Sequence, residues 1–393
     1  MMPCFATRYV LCSVCLFLIA LVPSDVDARE GDPIAVRNWG DGVVAIETQW
    51  NLLVVFGPTA ESVAKQRFAR SPDQTIVMSA SQAIDHWLFR KPNDSLVSWV
   101  PVADRFPPSP DAVRVKSIQR AGKTLAWIVM VDGVQIMIST AGVDTPLRDD
   151  EMLASQLDLL WVRSVGVPTK DSSAILGQIK HAQPRVVCLD AGDPILNQER
   201  VGEVIHIQHN TFAISATELD PTPPTSWVVM PSKPWAMPEG LEALFITMEA
   251  SCEQSQEVFG KLSIEQLNFK PSNGTHTPRW NAEHMMGRQL LFFSQIYHAQ
   301  QPAIAVMDFN PKQMPSDYLA AHPTWNGAEE ARQMQRVSAF TRRFAYLLEG
   351  LDLDAKPPGS RWVLRALLKQ MDRHYAEHTA NTLKKFDLPD WPQ

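Results

Sequence analysis

Short apolar runs rich in Val and Ile recur through residues 34–230: VVAIETQWNLLVVFG, QTIVMSA, TLAWIVMVDGVQIMIST, LDLLWVRSVG, PRVVCLD and EVIHIQ. Each has the length of a strand and is bounded by Gly, Pro, Asp or Asn, which predicts β-structure. Asp132-Gly133 stands between two such runs, and this dipeptide suits the positive φ angles of a two-residue hairpin turn. Helical spacing of apolar residues appears in TAESVAKQRFA, DDEMLASQL and SSAILGQIKHA. Strands interleaved with helices predict an α/β domain over residues 29–225.

The pattern changes near residue 238. A proline-dense stretch around 219–239 reads as a linker that wraps one strand-like piece, SWVVM, with the linker proper at 226–238. Four helical stretches follow: GLEALFITMEASCEQSQEVFGKL, RWNAEHMMGRQLLFFSQIYHAQ, GAEEARQMQRVSAFTRRFAYLLEG with Gly350 as its stop, and RWVLRALLKQMDRHYAEHTANTLKKF. Four helices in residues 239–393 predict an all-α four-helix bundle. The expected architecture is therefore two-domain, α/β followed by all-α.

Composition narrows the function. The chain has 393 residues with a net charge of −7, a poor match to phosphate, so nucleic acid is not an expected partner. Arg8, the apolar run YVLCSVCLFLIALV and VDA ending at Ala28 predict a signal peptide over 1–28 and an exported, periplasmic or secreted mature chain, with an uncleaved anchor as the alternative. No other stretch is long and apolar enough to cross a membrane. Of five cysteines, Cys4, Cys12 and Cys15 lie in this leader, leaving Cys188 and Cys252 as expected free buried thiols.

The candidate chemistry lies in the last helix. Leu364, Leu367, Met371, His374 and His378 share one seam, so both histidines face the core, and a pair at i, i+4 can share one metal. His284, one turn into the second helix, is the candidate third ligand, with Arg288 one turn further on. The alternative is that Arg288 excludes a cation and the imidazoles bond Glu283 or water. His276 precedes that helix in a loop, His298 lies at its far end, and His322, before a proline, reads as structural. HYAEH also matches the inverted zinc-protease pattern H-x-x-E-H, but no convincing downstream ligand follows.

LSIEQLNFKP, PRWNAEHMMGRQ and RWVLRALLKQMDRHYAEHTANTL, in that order, make residues 239–390 resemble the DinB-like domains of the DinB/YfiT superfamily. The resemblance implies a three-histidine site for a divalent metal, zinc or nickel, with His374 and His378 matching the family's final pair. It implies metal-dependent hydrolysis or thiol transfer on a small-molecule substrate of unknown identity. The departure is that Arg288 stands where the family's helix-two histidine usually lies. The α/β half resembles a degenerate metallo-β-lactamase-like αββα sandwich. Ser81-Gln82-Ala83-Ile84-Asp85-His86 retains only the final Asp-His of H-x-H-x-D-H, GVQIMISTAGVD lacks a histidine, and Asp190 replaces another. His206 and His209 read as structural. The competing function is a non-catalytic binding or scaffold protein.

Overall fold

The computed structural model describes residues 33–40, 42–48, 52–57, 74–78, 87–90, 100–102, 113–139, 157–162, 204–215, 225–233, 235–302, 304–308 and 320–393, and most positions of 176–195. The leader at 1–28, the Ser81–His86 stretch and the helical patterns TAESVAKQRFA and DDEMLASQ lie outside the described residues.

Two β-sheets face each other. The five-stranded sheet runs β13 (Thr211–Ile214), β1 (Ile34–Gly40), β2 (Val43–Glu47), β3 (Leu52–Phe56) and β4 (Gln74–Met78). The nine-stranded sheet runs β12 (Val204–His206), β14 (Ser226–Met230), β11 (Val186–Asp190), β10 (Leu159–Val162), β9 (Val134–Ser139), β8 (Lys123–Val131), β7 (Val113–Arg120), β5 (Trp87–Arg90) and β6 (Val100–Val102). In this second sheet β9 to β12 and β14 are parallel, and the remaining pairs are antiparallel.

Side-chain alternation explains the layering. Along β8, Trp127, Val129 and Val131 enter the core between the sheets, beside Val36, Val44, Val54 and Phe56. Ala126 and Ile128, on the opposite face, pack with Leu176, Ile179 and Ala182. The β8–β9 hairpin turns on Asp132 and Gly133, with φ of 47° and 76°, as a two-residue turn with two left-handed positions requires.

The C-terminal part is helical: α1 (Glu239–Phe259), the short α2 (Ile264–Asn268), α3 (Pro278–Gln300), α4 (Gly327–Arg343) and α5 (Leu364–Leu383). Both α1 and α3 pack against α4 and α5. Local sequence sets the starts. Thr277 caps α3 with Pro278 in its first turn, Asn326 caps α4, and Ser263 with Gln266 forms a capping box at α2. Among the described residues no helix is long and apolar enough to cross a membrane.

The helical part covers the outer face of the five-stranded sheet, where Ala35 and Ala213 join the same apolar cluster as Phe344 and Tyr346. Polar ties accompany the contact. Arg37 pairs with Glu47 at 2.7 Å and donates to the Arg343 carbonyl at 3.0 Å, and Arg343 donates to the Thr48 carbonyl. Gln301 Nε2 donates to the Ala213 carbonyl at 3.1 Å, and His209 pairs with Glu349 at 2.8 Å.

Three boundaries differ from the sequence reading. Residues 226–230 are not linker: β14 lies between β11 and β12, parallel to both. The third helical stretch stops at Arg343, because Phe344 leaves helical geometry at φ −101°, ψ 9°, and a separate 3-10 turn spans Ala345–Leu348. The last helix begins at Leu364, after Arg361 and Trp362, rather than at Arg361. Cys188 and Cys252 are buried and free.

Candidate metal centre

The rotation of α3 is set from its first turn. Arg279 is fully buried and points away from α5, pairing with Glu330 of α4 at 2.5 Å and donating to Asn268 Oδ1 at 2.6 Å and the Trp325 carbonyl at 2.7 Å. Fixing Arg279 on that side turns Trp280 and His284 toward α5. There His374 and His378, a helical turn apart, project from the seam that also carries Leu364, Leu367 and Met371.

The structure brings His284, His374 and His378 together. One ring nitrogen from each lies within 4.8 Å of the others. Ring centroids are 4.9 Å apart for His284–His374, 5.2 Å for His284–His378 and 4.5 Å for His374–His378. His284 and His374 are buried, and His378 is half-buried. Metal–nitrogen bonds of about 2.1 Å in a tetrahedral shell separate ligand nitrogens by roughly 3.4 Å, so side-chain rotations of about an ångström bring this trio to bonding distance.

The electrostatics favour neutral rings, the form that ligates. Burial, followed by the nearby His378, His284 and Arg288, lowers His374 to about 3. Burial, followed by His284, His276 and Lys385, lowers His378 to about 4. His378 Nδ1 is 2.7 Å from Asn281 Oδ1, and the Asn281 amide nitrogen donates to Thr382 Oγ1 at 3.2 Å. That second bond makes Oδ1 the acceptor, so His378 donates from Nδ1 and keeps its lone pair on Nε2. His374 Nδ1 is buried without a protein hydrogen-bond partner. An orphaned imidazole nitrogen beside two others is an unfavourable arrangement for an apolar pocket and a suitable one for a cation.

The surrounding residues sort cleanly. Trp280 stacks on His284, with centroids 4.4 Å apart and planes 10° from parallel. His276 lies against Trp280 at 3.7 Å and stands outside the three-nitrogen cluster. Glu283 accepts the backbone N–H groups of Ala321 and His322 at 3.4 and 3.3 Å. Arg288 lies 5.8 Å from the Phe292 ring centre and close enough to His374 to depress it. His298 is exposed and bonds the Ile304 carbonyl at 2.9 Å, and His322 stacks on Trp325 at 3.7 Å. Glu377 faces solvent beside Arg373 at 3.5 Å, so the protease-like reading of HYAEH has no base at the centre.

Asn281, the hydrogen-bond partner of His378, is the member of this cluster that sequence reasoning missed. Its signal was faint: a polar residue on the α3 face that also carries His284, opposite Thr382, which is itself fully buried on α5. In the α/β unit, Asp190 Oδ1 accepts from Asn38 Nδ2 at 2.6 Å, an interaction that ties β11 to β1.

No protein-family model matches the chain, and no curated protein matches it. Among solved structures it is similar to a candidate Zn-dependent hydrolase of the metallo-β-lactamase superfamily from Thermotoga maritima, with 15% identity, 50% of this chain and 99% of that chain covered, and a TM-score of 0.31. Likeness of that degree assigns no role to any residue here.

Proposed function

We propose that the helical part is a DinB-like four-helix bundle that holds a divalent metal, zinc or nickel, on His284, His374 and His378, and that the protein is a metal-dependent hydrolase or thiol transferase. The observation that carries this reading is the convergence of three imidazole nitrogens within 4.8 Å, one ring oriented by Asn281 and another with a buried, unbonded nitrogen. Three neutral nitrogen ligands leave a coordination position for water or a thiol, and the bound ion supplies Lewis acidity there. The chain's own residues hold the ligands neutral by burial, orient His378 through Asn281 and Thr382, and shield one side with the Trp280 indole. We further propose an exported protein, from the leader over residues 1–28, acting on a small molecule.

The test is metal content. Elemental analysis of the purified full chain is expected to give one equivalent of zinc or nickel. His378→Ala is expected to lose it, and His298→Ala to retain it. Equal metal in both variants would overturn the reading.

For the α/β unit a bracing role is the better-supported reading. Its five-stranded sheet is packed through Ala35 and Ala213 against the helices, and Asp190 is occupied with Asn38.

A further inference from the structure

The seam that carries His374 and His378 continues to Lys385, seven residues beyond His378 and just past the end of α5. Helical side chains lean toward the N-terminus, so this lysine runs back along the helix toward the histidines. Its Nζ donates to the Asn381 carbonyl at 2.8 Å, one turn earlier. Lys385 is only 4% exposed. No carboxylate among the described residues pairs with it, and the adjacent Lys384 adds a second positive charge. A lysine at a helix C-terminus ordinarily bonds a free carbonyl and keeps its charge in water. Lys384 is placed for that role, exposed at the cap position. Lys385 differs: a buried ammonium with one neutral acceptor and no counter-charge is a costly arrangement.

Two further polar atoms beside the cluster are unsatisfied. Trp280 Nε1, which can only donate, and His276 Nδ1 are both buried without a hydrogen-bond partner. The ring centres of His276 and Trp280 are 3.7 Å apart, and that of Trp280 is 5.8 Å from His378. The Lys385 charge reaches both imidazoles: after burial it depresses His276, and it contributes to the depression of His378. Resting on the reading of His284, His374 and His378 as the reaction centre, we propose that Lys385 is an anion-binding residue of that centre, with the Trp280 indole N–H as a second donor. The ligand class is a small molecule bearing an oxyanion, carboxylate or phosphate. Oxyanions accept from both kinds of donor, and they carry the charge that no protein group gives Lys385.

The experiment measures binding of inorganic phosphate and of acetate by titration calorimetry, on the full chain as purified and after dialysis against a chelator. At least one anion is expected to bind both preparations, and the tighter of the two identifies the group recognised. Lys385→Met keeps the aliphatic stem without the charge and is expected to weaken that anion by about tenfold. Removing an uncompensated buried charge is also expected to raise the thermal midpoint of the anion-free chain by about 2 °C. Binding of neither anion, or equal binding by the native chain and Lys385→Met, would overturn the proposal. A Lys385→Met midpoint below the native one would make the lysine a structural cap of α5 and overturn it as well. Anion binding that disappears on chelation assigns the anion to a metal and removes the role from Lys385. The metal-centre reading fails separately, when the purified chain carries no metal yet the chelated preparation still binds the anion through Lys385.

Discussion

At the scale of single residues, the histidine cluster is held by partners outside it. Asn281 orients His378 through one hydrogen bond and is itself oriented by Thr382. Removing such an outer partner typically costs ten- to a hundredfold in metal affinity. Asn281→Ala is therefore expected to weaken zinc binding by about that factor in a chelator competition, with the fold intact by circular dichroism. Affinity equal to the native value would show that the ring is oriented by packing alone. A pH dependence follows from the same environment. His374 and His378 lie at about 3 and about 4 in the fold, below the unfolded value of 6.5. Between those values the unfolded chain binds more protons than the folded one. Stability is thus fully present above about pH 6.5 and is lost as pH falls toward 4 and then 3, by up to about 1.4 kcal/mol per pH unit for each histidine. Thermal melts of the metal-free chain from pH 7.5 to 4.5, set against a His374→Gln, His378→Gln variant, isolate this contribution. Parallel profiles would contradict it.

At the scale of elements, the readable part of the sequence was the part with a period. The i, i+4 histidines fall on a seam marked by Leu364, Leu367 and Met371, so their inward direction is legible in the sequence. His284 was visible because it shares a short helix start with Trp280. Three features were hidden for physical reasons. Strand β14 is flanked by prolines on both sides and resembles a linker, yet parallel pairing to β11 and β12 makes it a core strand. Strand β7, VRVKSIQR, carries charged residues between its apolar ones, and Arg114 is buried there. The end of α4 coincides with the engagement of Arg343 with the opposing sheet, a long-range contact that no local pattern announces. The start of α3 makes its own prediction. Arg279 and Glu330 are both inaccessible to solvent, and burial pushes the Glu330 carboxyl up to about 8, so removing Arg279 leaves that buried carboxyl and the Asn268 and Trp325 acceptors without their donor. Arg279→Ala is expected to destabilise the protein by about 3–5 kcal/mol in urea unfolding, whereas a surface pair such as Arg373–Glu377 is expected to contribute under about 1 kcal/mol.

At the scale of the whole molecule, the two parts share an interface rather than a tether. Ala35 and Ala213 present small side chains that let the helices approach the five-stranded sheet closely, and Arg37, Glu47 and Arg343 close the polar margin. Calorimetry of the full chain is expected to show one unfolding transition, and Arg343→Ala to lower its midpoint, since that side chain is buried and donates to the Thr48 carbonyl. Two well-separated transitions in the native chain would mean that the interface couples the parts weakly.

The pairing of β1 with β13 carries a consequence for biogenesis. Arg37 and its partner Thr211 are 174 positions apart in the chain. During synthesis β1 and β2 emerge early, while the strand that covers the free edge of β1 emerges only after most of the α/β unit has been made. Through that interval β1 exposes unpaired backbone groups, a template on which neighbouring chains can add a strand. Late closure of so large a loop also makes this a slow step. The alanine seat for the helices is complete only once β13 is in place, so docking of the helical part has to wait for it. A nascent chain of this protein therefore carries an open strand edge, a site for aggregation, until residues 211–214 pair with the first strand.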